Sequence, residues 1–206
     1  RSRMGRESRG SVMNIFVLDE NPRTSAEMMC DKHVVKMIIE SAQMLSTVHR
    51  YVDGDEFISI SKNGRRIKRW SHHTDTPDSR IRLHKSVMLN HPCTVWTRET
   101  AANYAWLAAH ALALCDEYED RYNREHATRN LVEWLVTNYP KNVFGIHRTP
   151  FAQAMPDEYK VVGNAVAAYR AYYLGEKRRF AKWKNGNVPN WYMEGLTKDE
   201  DVVQYA

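Results

Sequence analysis

The sequence predicts a mainly α protein, a single compact helical domain with one small β-hairpin. Three observations carry this. Apolar residues recur at intervals of three and four along residues 25–50 and again along 101–123, the period of a helix with a buried face. The period changes between residues 51 and 70, where Asn63-Gly64 sits between two short strand-like runs, a hairpin signal. No repeat, low-complexity tract or linker divides the chain, so residues 13–206 read as one domain. Residues 1–12 are polar and rich in Arg, Gly and Ser, and read as a flexible leader or expression remnant, with Met13 as the natural start.

The elements follow in order. Residues 14–18 read as a short buried strand or extended segment, and Asn21-Pro22 as a turn. Thr24-Ser25-Ala26-Glu27 reads as a capping box that opens a continuous helix over 25–50. Strands around Phe57–Ile60 and Arg65–Trp70 flank the hairpin turn, and 71–79 is a polar loop. A short helix is expected over 80–89. Asn90-His91-Pro92 then opens another, with proline in its first turn and His91 as its cap. Helices follow over 101–123 and 127–138. Three prolines pin a loop over 139–156, and Pro156-Asp157-Glu158 opens a helix that Gly175 stops.

Composition narrows the function classes. The chain has 206 residues, 43% hydrophobic and 27% charged, and a domain of this size buries about 70% of its unfolded surface without metals or disulfides. Three cysteines, Cys30, Cys93 and Cys115, form no CxxC pair, which fits a reducing cytosol. No run approaches the roughly 18 apolar residues of a membrane span, so no membrane partner is expected. Zinc-ligand spacing, GxxxxGK[ST], GxGxxG and GxSxG are all missing, so neither a metal nor a cofactor is expected.

Two patterns carry chemistry. His33, Lys36, Glu40, Gln43, Thr47 and Arg50 are spaced 3, 4, 3, 4, 3, which puts them on one stripe of an otherwise apolar helix. Unpaired burial costs about 1–3 kcal/mol per polar group, so the stripe needs water, partners or a ligand. It reads as one wall of a catalytic cleft, with Glu40 as acid/base group or electrostatic stabiliser and His33 and Lys36 beside the substrate. The bland alternative is a solvated stripe. The second pattern interleaves cations with aromatic rings. Arg65, Arg66, Lys68, Arg69 and Trp70 form one cluster, and Lys177, Arg178, Arg179, Phe180, Lys182, Trp183, Lys184, Trp191 and Tyr192 form another in the tail. Cations attract phosphates and ring faces stack on bases, so both clusters read as nucleic-acid-binding.

The segments MNIFVLDENP, CDKHVVKMIIESAQMLSTVHR, KNGRRIKRW, NHPCTVWTRETAANYAWL and KWKNGNVPNWY resemble a family of phage proteins across nearly all of residues 13–192. More remotely, Asp31-Lys32-His33 followed by Glu40, with Trp191-Tyr192 in a basic aromatic tail, resembles the phage pyrimidine-dimer DNA glycosylases. That resemblance implies a compact helical enzyme whose catalytic glutamate is Glu40. The family carries arginine where this chain has Ile39 and Gln43. Its nucleophile is the α-amine of a threonine that follows the initiator Met; here Asn14 follows Met13, and Lys36 is the substitute amine if burial activates it.

The expected function is therefore a phage enzyme that cleaves the glycosidic bond of a damaged or modified pyrimidine in double-stranded DNA, in the cytoplasm of the infected host cell. One alternative is a transferase that decorates hypermodified thymine in phage DNA with a small-molecule co-substrate. Another is a non-catalytic nucleic-acid-binding protein. A deep cleft at Glu40 favours the enzymes, and a dry, packed Glu40 the binding protein.

Overall fold

A computed structural model describes residues 13–204. Among these are seven α-helices and one two-stranded antiparallel sheet. The leader read over residues 1–12 lies outside the described residues. Residues 13–18 are extended and buried, unpaired with any strand. Helix α1 spans Pro22–Met28, α2 Asp31–Asp53, α3 Pro92–Glu99, α4 Ala101–Tyr122, α5 Arg129–Thr137, α6 Ala165–Tyr172 and α7 Asn190–Gln204. Strands β1 (Asp55–Ile60) and β2 (Arg66–Ser71) pair in register from Asp55↔Ser71 to Ile60↔Arg66, across the turn at Asn63-Gly64. No helix among the described residues is long and apolar enough to cross a membrane.

The central pair is α2 on α4, flanked by α3 and α5. Met37, Ile38, Met44 and Leu45 of α2 meet Tyr104, Leu107 and Leu114 of α4, all with essentially no exposure. Such a contact places the apolar side of each helix against the other and leaves the polar stripe of α2 facing sideways.

Four expectations need correction. The helix expected over 25–50 is two helices, broken at Met29 and Cys30, both extended. Asn21 caps the first: its Oδ1 accepts from the amides of Arg23 and Thr24, with Pro22 in the first turn. The Thr24–Glu27 box therefore lies inside α1. The break is held by Arg121 of α4, whose buried guanidinium donates to the carbonyls of Glu27 and Met29 and to Asp31 Oδ1. One side chain thus satisfies the orphan carbonyls that end α1.

The helix expected over 80–89 does not form. Residues 80–88 form neither helix nor strand because their main-chain groups are taken by side chains from elsewhere. Arg50 donates to the carbonyls of Leu83 and His84, Arg69 to that of Ser86, and Thr47 Oγ1 accepts from the Val87 amide. A backbone so supplied does not need helical bonds. The helix expected from Pro156 to Leu174 is interrupted: a single 3-10 turn covers Asp157–Tyr159, and α6 begins only after Asn164, whose Oδ1 caps it. Gly175 does not stop α6 but sits in one π turn, Tyr173–Lys177, against the ring of Tyr159. Beyond residue 192 the sequence suggests no element, and the structure places helix α7 there, opened after Pro189.

Candidate active site

The stripe on α2 divides into two halves. In the C-terminal half, residues 83–91 run antiparallel beside the helix. Arg50 binds Leu83, His84 and the Asp75 carboxylate, and Thr47 binds Val87 through both its amide and its carbonyl. Those polar groups are structural. In the N-terminal half no such segment covers the stripe, and His33, Lys36 and Glu40 meet the extended residues 14–16 instead.

Glu40 is 4% exposed. Its Oε2 accepts the main-chain N–H of Asn14 at 3.1 Å, and its Oε1 pairs with Lys36 Nζ at 3.2 Å. Asn14 is fixed in turn: its Nδ2 donates to the Ala154 carbonyl, and its Oδ1 accepts from the amides of Ile15 and Phe16. His91, the cap of α3, lies within reach of the Glu40 charge and accepts from the Cys93 amide at Nδ1. Burial lowers its affinity for a proton, and Glu40 opposes that.

Next to this carboxylate opens a pocket of about 280 Å³. Asn14, His33, Lys36 and Met37 form one wall. Phe16, Tyr172 and Phe180 supply ring faces, and Lys32, Lys177 and Arg179 line it with positive charge. Phe16 holds φ +57 and stacks on His33 with ring centroids 4.1 Å apart. A phenylalanine in the left-handed region costs about 1–3 kcal/mol, offset here by the stacked imidazole. Lys177 Nζ lies 4.4 Å over the Tyr172 ring, and Lys32 Nζ 4.7 Å over that of Phe180.

His33 is neutral. Burial, then the charges of Lys177, Lys36 and Lys32, push its pKa down to about 3. Its Nδ1 lies 2.5 Å from the hydroxyl of Tyr173, a phenol that burial keeps protonated. The same hydroxyl lies 3.7 Å from Cys30 Sγ, so Nδ1 is held on the core side and Nε2 is the ring nitrogen left for the pocket. The pocket offers aromatic rings, a neutral imidazole and fixed cations. That set suits a flat base attached to an anionic backbone.

The three residues assigned to catalysis are thus brought together, with Glu40 just behind the wall that Asn14 and Lys36 make. Lys36 is 48% exposed, so the burial that a nucleophilic amine needs is lacking. The nucleic-acid clusters are not brought together. Tail residues Lys182 and Lys184 bond through their main chains to Asp31 at the start of α2. The hairpin is rooted at the other end, about 33 Å away at 1.5 Å per residue. Arg65 and Arg66 are exposed near the hairpin tip, Lys68 pairs with Glu56, and Arg69 donates to the Ser86 carbonyl. Two of the assigned stacking residues need correction. Trp183 is 8% exposed, with Nε1 on the Met28 carbonyl and its ring against Tyr192, and Trp70 is buried against Tyr51. Neither presents an open face to a base.

Sequence reasoning missed Phe16 and Tyr172, while Lys177, Arg179 and Phe180 of the tail cluster do line this pocket.

No curated protein and no solved structure matches the chain. A family model described as pyrimidine dimer DNA glycosylase matches residues 13–130, more than half of the chain, and that span holds Asn14, His33, Lys36 and Glu40 but not the Tyr172–Phe180 wall. On this match the chain belongs to the pyrimidine dimer DNA glycosylase family.

Proposed function

We propose that the protein is a DNA glycosylase that excises a damaged or modified pyrimidine from duplex DNA, in the cytoplasm of a phage-infected cell. One observation carries the reading: a buried carboxylate, Glu40, stands beside a cationic, ring-lined pocket. Taking a base out of the stack costs a few kcal/mol, least where the base is damaged. Contact with the part-buried rings of Tyr172 and Phe180 repays part of that cost, and Lys32, Lys177 and Arg179 hold the flanking phosphates.

Lys36 acts as a gate. In the free protein its ammonium closes over Glu40. A DNA phosphate draws the ammonium away and uncovers the carboxylate. As the bond from C1′ to the base breaks with its electron pair on the base, the Glu40 carboxylate stabilises the positive charge that develops on the sugar. Water then adds at C1′ and gives up its proton to Glu40. His33 Nε2 hydrogen-bonds to the base or phosphate. While Met13 precedes it, the Asn14 nitrogen is an amide, which orients Glu40 and is no nucleophile.

Glu40→Gln keeps the shape and the contact with Asn14. On duplex containing a cyclobutane pyrimidine dimer, it should bind as the parent does and turn over about 100-fold more slowly or worse, the scale of a positioned acid–base group. Equal cleavage of the dimer's glycosidic bond by parent and variant, read by mass spectrometry as addition of one water to the strand, would reject the assignment.

A further inference from the structure

The segment that runs antiparallel to α2 contains a residue that packing does not account for. Met88 has φ +47, a region that L side chains other than Asn and Asp rarely adopt. Holding it there costs about 1–3 kcal/mol. Yet its side chain is 50% exposed, so little burial offsets the cost.

The mount is rigid. On one side, Val87 is bonded at its amide and carbonyl to Thr47 Oγ1. On the other, the His91 amide donates to the Met88 carbonyl, and Arg98 donates to that of Leu89. The bonds of Arg50 to Leu83 and His84, of Thr47 to Val87, and the proximity of His91 to Glu40 fix the order along the stripe. Met88 therefore lies along the stripe between the level of Arg50, next to the hairpin, and that of Glu40, and Lys85 supplies an exposed cation three residues before it.

We propose that Met88 is a wedge that enters the DNA base stack beside the Glu40 pocket and props open the step at the lesion. The proposal rests on the glycosylase reading above. Apolar side chains inserted at a base step unstack and kink the duplex, at a cost of a few kcal/mol per step recovered in contacts. Methionine suits such insertion because it is unbranched and its polarisable sulfur packs favourably on aromatic rings. The left-handed backbone aims it outward, and the pinned neighbours keep it from folding back.

Two substitutions test this. Met88→Asn suits the left-handed backbone and should not lower the melting temperature, but it removes the apolar wedge. Met88→Leu restores apolar bulk. The substrate is duplex with a pyrimidine dimer and 2-aminopurine as the neighbouring base, a probe that brightens on unstacking. The parent should brighten it on binding. Met88→Asn should lose most of that signal and excise about 10-fold more slowly from duplex, while staying within about 2-fold of the parent when the lesion lies in a mismatched bubble, where unstacking is already supplied. Met88→Leu should recover both. If the parent excises the dimer and Met88→Asn matches it in fluorescence and in duplex rate, the wedge is rejected and the glycosylase reading stands. If the parent neither binds nor processes any lesion duplex, the glycosylase reading falls and the wedge with it.

Discussion

Glu40 and Lys36 form an i,i+4 pair in which one partner is buried and the other half exposed. The exposed ammonium itself loses little on moving to a DNA phosphate, while the buried carboxylate it leaves loses a partner, which the water it activates replaces. Lys36→Met should therefore weaken DNA binding and make its logarithmic salt dependence shallower by about 0.9, one phosphate contact. Its kcat at saturating DNA should fall less than about 10-fold, because a gate that has been removed cannot impede the chemical step. Complete loss of turnover with DNA still bound would instead make the Lys36 amine the nucleophile. The trio His33, Lys36 and Glu40 was legible from spacing alone, because helical geometry dictates which residues share a side. Asn14, Phe16 and Tyr172 were not. Asn14 meets Glu40 across 26 positions and Tyr173 meets His33 across 140, and no local pattern encodes such separations. Trp70 and Trp183 misled for the opposite reason: a ring next to cations has the same local sequence whether it faces a base or the core.

At the scale of elements, α2 matters most, and its two joints are built differently. The first is the Arg121 clamp across the α1–α2 break. The second is Gly54, where the helix turns into β1. A Cβ there would lie 2.2 Å from the Ser71 carbonyl oxygen and 2.4 Å from that of Arg50. Both are main-chain atoms, one closing the hairpin ladder and the other accepting the Gly54 amide at the helix end. Neither can withdraw without breaking its element. Gly54→Ala should cost about 1–3 kcal/mol or more, read as a lower urea midpoint, and should loosen the hairpin against α2. An unchanged midpoint would mean that the joint tolerates a shift. The hairpin itself was legible because Asn63-Gly64 marks a two-strand turn. The 80–89 segment was not, since its backbone partners are the side chains of Arg50, Thr47 and Arg69. The single helix read over 25–50 had continuous apolar spacing, and nothing local to Met29 and Cys30 signals a guanidinium arriving from α4.

Across the whole molecule, several histidines lie in sites that admit only the neutral ring. Burial takes His33 down to about 3, and His49, His72 and His110 to about 4. Each binds a proton more readily in the unfolded chain, where its pKa is near 6.5. The unfolded state thus carries more protons than the folded one between about pH 6.5 and 4, and stability rises with pH through that window. It is fully present above the window and is lost as pH falls towards the folded values. Asp75, held below the usual carboxylate range by its hydrogen bonds to Arg50, titrates beneath it. His110 isolates the effect best. It is fully buried, its Nδ1 lies 2.9 Å from the Pro22 carbonyl, and its Nε2 has no partner among the described residues. Protonation would add a second N–H with nowhere to donate. At pH 5 a histidine so placed withholds about 2 kcal/mol relative to pH 8. In His110→Asn, an amide N–H stands where Nδ1 meets Pro22 and no proton can be taken up. Urea unfolding at pH 8 and pH 5 should show the parent losing more stability than the variant between the two, by about 2 kcal/mol. Equal losses would mean that His110 accepts its proton in the folded state, and that the packing of α4 against α1 opens to let it.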